Sequence, residues 1–495
     1  MASPRHRPWP TNPRSVFFDD LASRPTLSKA VKSGEIRHLA VGVWTADLES
    51  SSEEIVAANL WELIARQCPD AIVVDRTAAR GGRLEGGLVT IATDMRTTPL
   101  KLPGVVVAVR TRRGHDSDTP WSSGLTGSSP ARSVVDNLVV SRGRDGRPGR
   151  TLTNVEMQDW LSEKLVAWGP ERFDCLRADA LSIAVDFGTV DGQVINELFD
   201  EVSGRVPLRA GSSSFSRAVL SGTAWDKSRL ALFEQAVRNL FRVTGPRLAS
   251  PATDGELPFF EAYFSNYIEG TVFSVADARE IVETQTPPAR RSADGHDILG
   301  TYQCVVDPVG RSQTSTDPEA LIEILRMRHR TLMVGRPDIG PGQFKIDSNR
   351  VGSVSFVAPE LVGGTLLQGL KLLDDLPVGL ARALYVMFVI AEVHPFTDGN
   401  GRAARLMMNA ELSSERLCRI VIPTVFRNEY ISALRRATIA DGDTAALEEV
   451  LVHAWRWTAA MPWEDRSATE AQLEATNALV DSPEASERNL RLRLP

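Results

Sequence analysis

Residues 394–405 read HPFTDGNGRAAR, and this stretch limits the fold more tightly than any other in the 495-residue chain. The apolar run before it, 379–393, predicts a helix that stops at His394-Pro395, because a proline disfavours the α conformation of the residue preceding it. A second helix is expected from about Arg402 through LMMNAEL. Between them stands Asp398-Gly399-Asn400-Gly401, whose two glycines let successive backbone N–H groups point inward as an anion nest. Such a nest at a helix N-terminus is ready to take a phosphate. The chain is therefore expected to fold around two helices joined by an elbow suited to an anion.

Side chains on the elbow narrow the ligand. Arg402 and Arg405, three apart, share one face of the second helix. Arginines in a first turn oppose the helix dipole and cost energy unless an anion is bound nearby. Asp398 is the hard oxygen ligand that Mg²⁺ prefers, with phosphate oxygens and water completing the octahedron. Together these residues describe a site for a polyphosphate with a divalent ion. His394 is the one histidine beside it, and a neutral imidazole can take a proton from an attacking hydroxyl near pH 7. The other six, His6, His38, His115, His296, His329 and His453, stand in contexts without partners. Phe396 reads as buried packing that pins the loop.

Composition sets the bounds around this core. Hydrophobic residues make up 42% and charged residues 24%, an ordinary globular balance. The length allows roughly two to four domains. The best apolar run, 383–391, falls well short of the roughly 18 residues a membrane helix needs. The first residues, MASPRHRPWPTNPRS, lack the apolar centre of a secretory signal. Four cysteines without any CxxC spacing fit reduced thiols in a cytoplasmic protein, not a disulfide framework or a zinc site. Residues 1–150 carry 21 Lys and Arg against 16 Asp and Glu, while the remainder carries 35 against 47. A basic segment on an acidic body is compatible with a nucleic-acid contact.

Along the chain, the first 200 residues mix α and β. A short helix from Leu27 to Lys32 precedes Gly34, and two strands flank Gly42 between Ile36 and Trp44. Strands follow at 71–75, 87–94 and 104–111, each rich in β-branched residues, and helical periodicity runs from Asn154 to Ala184. The expected fold is multidomain: an α+β N-terminal module with a winged-helix-like start (1–205), then a connector with one helix, Lys227 to Phe241 (206–255). An all-α domain (256–465) follows, interrupted once by a β-hairpin at 344–359, and a polar tail (466–495) closes the chain.

The 394–405 segment resembles the signature of the Fic (Fido) family, HPFx[D/E]GNGRxxR, at every position. A chance match to its nine fixed places is on the order of 10⁻⁹, so coincidence does not compete. The resemblance spans roughly 257–460 and implies transfer of AMP from ATP to a Ser, Thr or Tyr hydroxyl of a target protein, with release of pyrophosphate. It makes His394 the base and Asp398 the Mg²⁺ ligand. Asn400 with the Gly399 and Gly401 amides steadies the α- and β-phosphates, and Arg402 and Arg405 hold the β- and γ-phosphates. Family members that phosphorylate instead carry Lys at the place of Gly401. The hairpin is similar to the family's flap, which pairs with the target backbone. EYISALRRAT (429–438) is similar to the segment bordering the adenine, with Tyr430 and Leu434 matching and Ile431 and Thr438 departing.

SNYIEG (265–270) fits the family's inhibitory pattern, [S/T]xxxE[G/N]. Ser265 and Glu269 lie four apart on one helix face, with Gly270 at the C′ position, and the resemblance makes Arg405 the partner of Glu269. Residues 26–48 resemble the AbiEi-type antitoxin and regulator family, and more weakly so do those up to about 204. There Lys29, Lys32, Arg37 and His38 would meet DNA phosphates. The reading is an autoinhibited protein adenylyltransferase with ATP and a protein as partners, no membrane, and a DNA contact and a homodimer left open. Two alternatives remain: a Fic site run backwards, with Glu269 positioning water to remove AMP, and a toxin–antitoxin-like DNA-binding regulator with a Fic sensor domain.

Overall fold

The β-branched runs of the first half become strands Ile72–Val73, Leu88–Thr93 and Val105–Thr111. The computed structural model describes residues 8–94, 101–243, 245, 247–352 and 354–495, so His6 and position 353 of the expected hairpin lie outside it. It divides into two units, Met1–Leu220 and Ser221–Pro495.

In the first unit a six-stranded mixed sheet runs in the order Lys101–Leu102, Val105–Thr111, Leu88–Thr93, Ile72–Val73, Thr126–Gly127, Thr119–Pro120. Leu88–Thr93 and Val105–Thr111 lie parallel, from Leu88 opposite Val106 to Thr93 opposite Thr111. Helix Asn154–Phe187 starts with a Thr153–Glu156 capping box and kinks at Gly169-Pro170, where proline cannot donate a helical hydrogen bond. At the start of the unit, helix Arg24–Lys32 leads into antiparallel strands Arg37–Ala40 and Val43–Thr45, and Phe17–Phe18 pairs with the latter. Arg37 corrects the sequence reading. Its guanidinium donates to Asp47 O (2.9 Å), Ser50 O and Ser52 Oγ, so it is committed to its own chain.

The same unit buries a group of ion pairs. Arg132 faces Asp118 and Asp136, Arg112 also reaches Asp136, and Arg110 reaches Asp75.

Among its described residues the second unit is mainly helical, with one short strand pair, Arg350–Val351 and Val354–Ser355. Its axis is helix Leu380–Val393, buried along almost its whole length, with its two charged residues paired: Arg382 with Glu411 and Glu392 with Arg229. Helices Lys227–Leu240, Val362–Lys371 and Asn400–Ser414 pack on it. Two regions differ from expectation. The presumed connector holds two helices, Ser214–Leu220 and Lys227–Leu240, and the second contributes Leu232, Phe233, Ala236 and Leu240 to the core. Residues 466–495 form helices Arg466–Ala475 and Ser482–Glu487, with Leu473, Ala478, Ala485 and Leu492 buried. No described helix is long and apolar enough to cross a membrane.

Candidate active site

Helix Leu380–Val393 ends at His394, whose backbone is left-handed (φ 52°, ψ 60°) and whose N–H still donates to Ile390 O. That conformation is uncommon for a residue with a Cβ, so the histidine is held by its surroundings. Its ring stacks on Phe356, with centroids 3.8 Å apart and planes at 9°. Nδ1 lies 3.4 Å from Ala391 O, so a proton on Nδ1 leaves the Nε2 lone pair free. Burial lowers the imidazole pKa to about 4, keeping it neutral at pH 7.

The elbow is shorter than the sequence suggests. Helix Asn400–Ser414 begins at Asn400, capped by left-handed Gly399 (φ 77°). The two glycines read as loop, yet only the first leaves the helical region. The N–H groups of Asn400, Gly401 and Arg402 thus fall in a first turn, where no intrahelical acceptor exists. Asn400 is not free to touch a ligand: its Oδ1 accepts from Phe396 N and its Nδ2 donates to Phe396 O, both at 2.8 Å. It ties the elbow shut. The half-exposed Asp398 accepts from Gly399 N at 2.6 Å and faces Arg336 at 3.8 Å.

A second histidine, passed over in the sequence, lies under the elbow. His329 on helix Pro318–Leu332 is fully buried and stacks on Phe396, with centroids 3.6 Å apart. Nδ1 accepts from Gly342 N (2.9 Å), so Nε2 carries the proton and donates to Asp398 O (2.9 Å). Burial takes its pKa down to about 4, and both bonds need this neutral tautomer. The sequence offered no spacing that could have exposed it.

The two motif arginines part company. Arg402, 2% exposed, pairs with Asp297 (2.7 Å) and donates to Asn266 Oδ1 (3.2 Å). Arg405 turns to helix Leu257–Ile268. Its Nε donates to Ser265 Oγ (3.1 Å), and its Nη2 donates to Ser265 O and to Glu269 Oε1 (both 2.8 Å). Glu269 caps that helix, followed by Gly270 at φ 95°. The dipole cost foreseen for both arginines is met by carboxylates of the chain itself. Glu269 also leans over Gly401, where an added Cβ would stand 2.2 Å from Oε1. Glu269, His394, Gly401, Arg405, Tyr430 and Leu434 border one cavity of about 200 Å³. Tyr430 is buried there, its hydroxyl 3.5 Å from Met387 Sδ.

Residues 319–412 match the Fic/DOC family. The chain carries a Fic domain. Over 197 residues it is 27% identical to the protein adenylyltransferase fic-1 of Caenorhabditis briggsae, covering 38% of each chain. Over 227 residues it is 26% identical to the protein adenylyltransferase Fic of Drosophila willistoni, covering 44% of each. The chain thus spans less than half the length of these curated relatives. A solved structure of Fic-1 (residues 134–508) from C. elegans aligns over 66% of this chain and 90% of its own, with 18% identity and a TM-score of 0.36. The family match lies wholly in the second unit and does not extend to the antitoxin resemblance of residues 1–205.

Proposed function

We propose that the Fic domain transfers AMP from ATP to a Ser, Thr or Tyr hydroxyl of a protein target, with Glu269 as a built-in brake. The observation carrying this reading is that His394, Arg405 and Glu269 face one cavity of about 200 Å³ beside a helix N-terminus. The names of the curated relatives support it. The neutral His394 takes the proton from the target hydroxyl as its oxygen attacks the α-phosphorus, and pyrophosphate leaves. First-turn amides of Gly401 and Arg402 hold phosphate oxygens, and the helix dipole adds to their pull.

Mg²⁺ fits Asp398. The carboxylate is half-exposed at the elbow, and the described residues hold no cluster of three or more His, Cys, Asp or Glu that could bind a metal alone. A nucleotide-borne ion needs only one or two protein carboxylates. Bound there, it would neutralise phosphate charge. Arg402 is assigned to holding Asp297 and Asp398 in place, and Arg405 to the γ-phosphate once Glu269 releases it. The pair Arg350–Val351 and Val354–Ser355 is assigned as the flap that meets the target backbone.

The test uses ATP labelled on either the α- or the γ-phosphate with the Glu269→Gly chain. Label from the α position is expected on protein and label from the γ position is not. Transfer of γ label, or of neither, defeats the reading.

A further inference from the structure

Residues Lys345, Asn349 and Phe356 lie against the His394 turn, and their anchor is an unusual one. Lys345 is 4% exposed, although a lysine is almost never this buried unless paired. Its ammonium donates to Asn349 Oδ1 at 2.6 Å and sits 3.5 Å from Val393 O. Both are neutral dipoles. Burial, with Arg229 nearby, lowers its pKa to about 8, so the cation is kept at a cost and stays charged at pH 7.

What that cost secures is the backbone around His394. The Lys345 N–H donates to Pro395 O (2.9 Å), and Asn349 Nδ2 donates to Phe396 O (3.1 Å). Lys345 and Asn349 therefore hold carbonyls 393, 395 and 396, on both sides of the left-handed histidine. Phe356 covers the imidazole, and the ammonium lies 5.9 Å from the centre of that ring.

We propose that Lys345 is a positioning residue for His394: with Asn349 it clamps the carbonyls flanking the histidine and fixes the ring against Phe356. The role in turnover rests on the reading of His394 as the base, but the clamp itself does not. Other charges around the ring are Glu269 at the end of its helix, Asp398 on the elbow, and Glu392, Arg405 and Arg435 on the cavity wall. Glu269 and Asp398 favour imidazolium, and Lys345 opposes it. Removing the lysine should loosen the turn and let the imidazole protonate more readily.

The test follows His394 in the full chain by NMR of ¹³C-labelled histidine, assigned by the signal lost in His394→Ala. Lys345→Met should raise the His394 midpoint by about one pH unit, and Lys345→Arg should restore most of the parent value. An unchanged midpoint in Lys345→Met overturns the proposal. If that variant does not fold, Asn349→Ala replaces it, with a smaller rise expected and no rise overturning the clamp. In the Glu269→Gly background, Lys345→Met should lower kcat by about 10- to 100-fold, with KM for ATP within about twofold because the phosphate contacts lie elsewhere. Unchanged kcat also overturns it. Absence of AMP transfer with Lys345 intact defeats the functional reading instead, and the midpoint still decides the clamp.

Discussion

Both units bury arginine–carboxylate pairs, and the two sets differ in what surrounds them. In the first unit Asp136 and Arg132 have no exposed side-chain surface. Around Arg405 the protein partner is a carboxylate one-third exposed, at the mouth of a cavity. A sealed pair repays part of its desolvation by staying closed, and taking away one partner leaves an uncompensated charge. A pair that opens on a cavity can exchange its anion for another. Burial alone thus does not mark a functional arginine. The chance to change partners does, and Arg402 beside Arg405 makes the same point within one helix turn.

The largest effect tests the chemistry next to the open pair. His394→Ala should cut AMP transfer by about 10²–10⁴-fold while ATP binding, followed by calorimetry, stays near the parent value. Equal transfer rates would remove the base from the mechanism and the contrast with it. The sealed pair should respond in stability instead. Asp136→Ala takes the carboxylate from Arg112 and leaves Arg132 with Asp118 alone, and should cost about 3–5 kcal/mol in a denaturant titration of the first unit. A loss under about 1 kcal/mol would show this group to be as replaceable as a surface pair.

Glu269→Gly should instead raise transfer, or self-modification without a target, by about 5- to 150-fold. Adding His394→Ala should abolish the gain. If Glu269→Gly is slower than the parent and has lost release of AMP from a modified protein, the glutamate serves removal rather than restraint. The mildest test is pH. His394 and His329 both have pKa values lowered from 6.5 to about 4. The acid limb of transfer should therefore fall near pH 4, not 6.5. Between those values the unfolded chain binds protons that the native one does not, so stability should decline as pH drops from about 6.5 towards 4. A limb at pH 6.5 would mean a solvated imidazole.

Much of the second unit was legible because its chemistry is local. The motif, the helix stop at Pro395 and the Ser265–Glu269 spacing are each read within a dozen residues. What escaped depends on contacts across the chain. His329 meets the elbow from 65 or more residues away, and Asp297 claims Arg402 from a separate helix. Neither of these pairings leaves a trace in spacing. The last 30 residues misled for another reason. Polar residues outnumber the apolar ones, so the average is polar although Leu473, Ala478, Ala485 and Leu492 find the core. In the first unit the three longest β-branched runs were recognisable as strands, but their mixed parallel and antiparallel order was not, since pairing partners lie far apart in sequence.

The bare Cα of Gly401 leaves room for the chain's restraint. Any side chain at that position would displace the Glu269 carboxylate, which is the movable end of a flexible residue and yields before the backbone does. A glutamate in this seat on Arg405 and a lysine at 401 would therefore compete for the same space. If Glu269 acts as the proposed brake, a chain with a side chain at 401 would need some other means of keeping its activity silent.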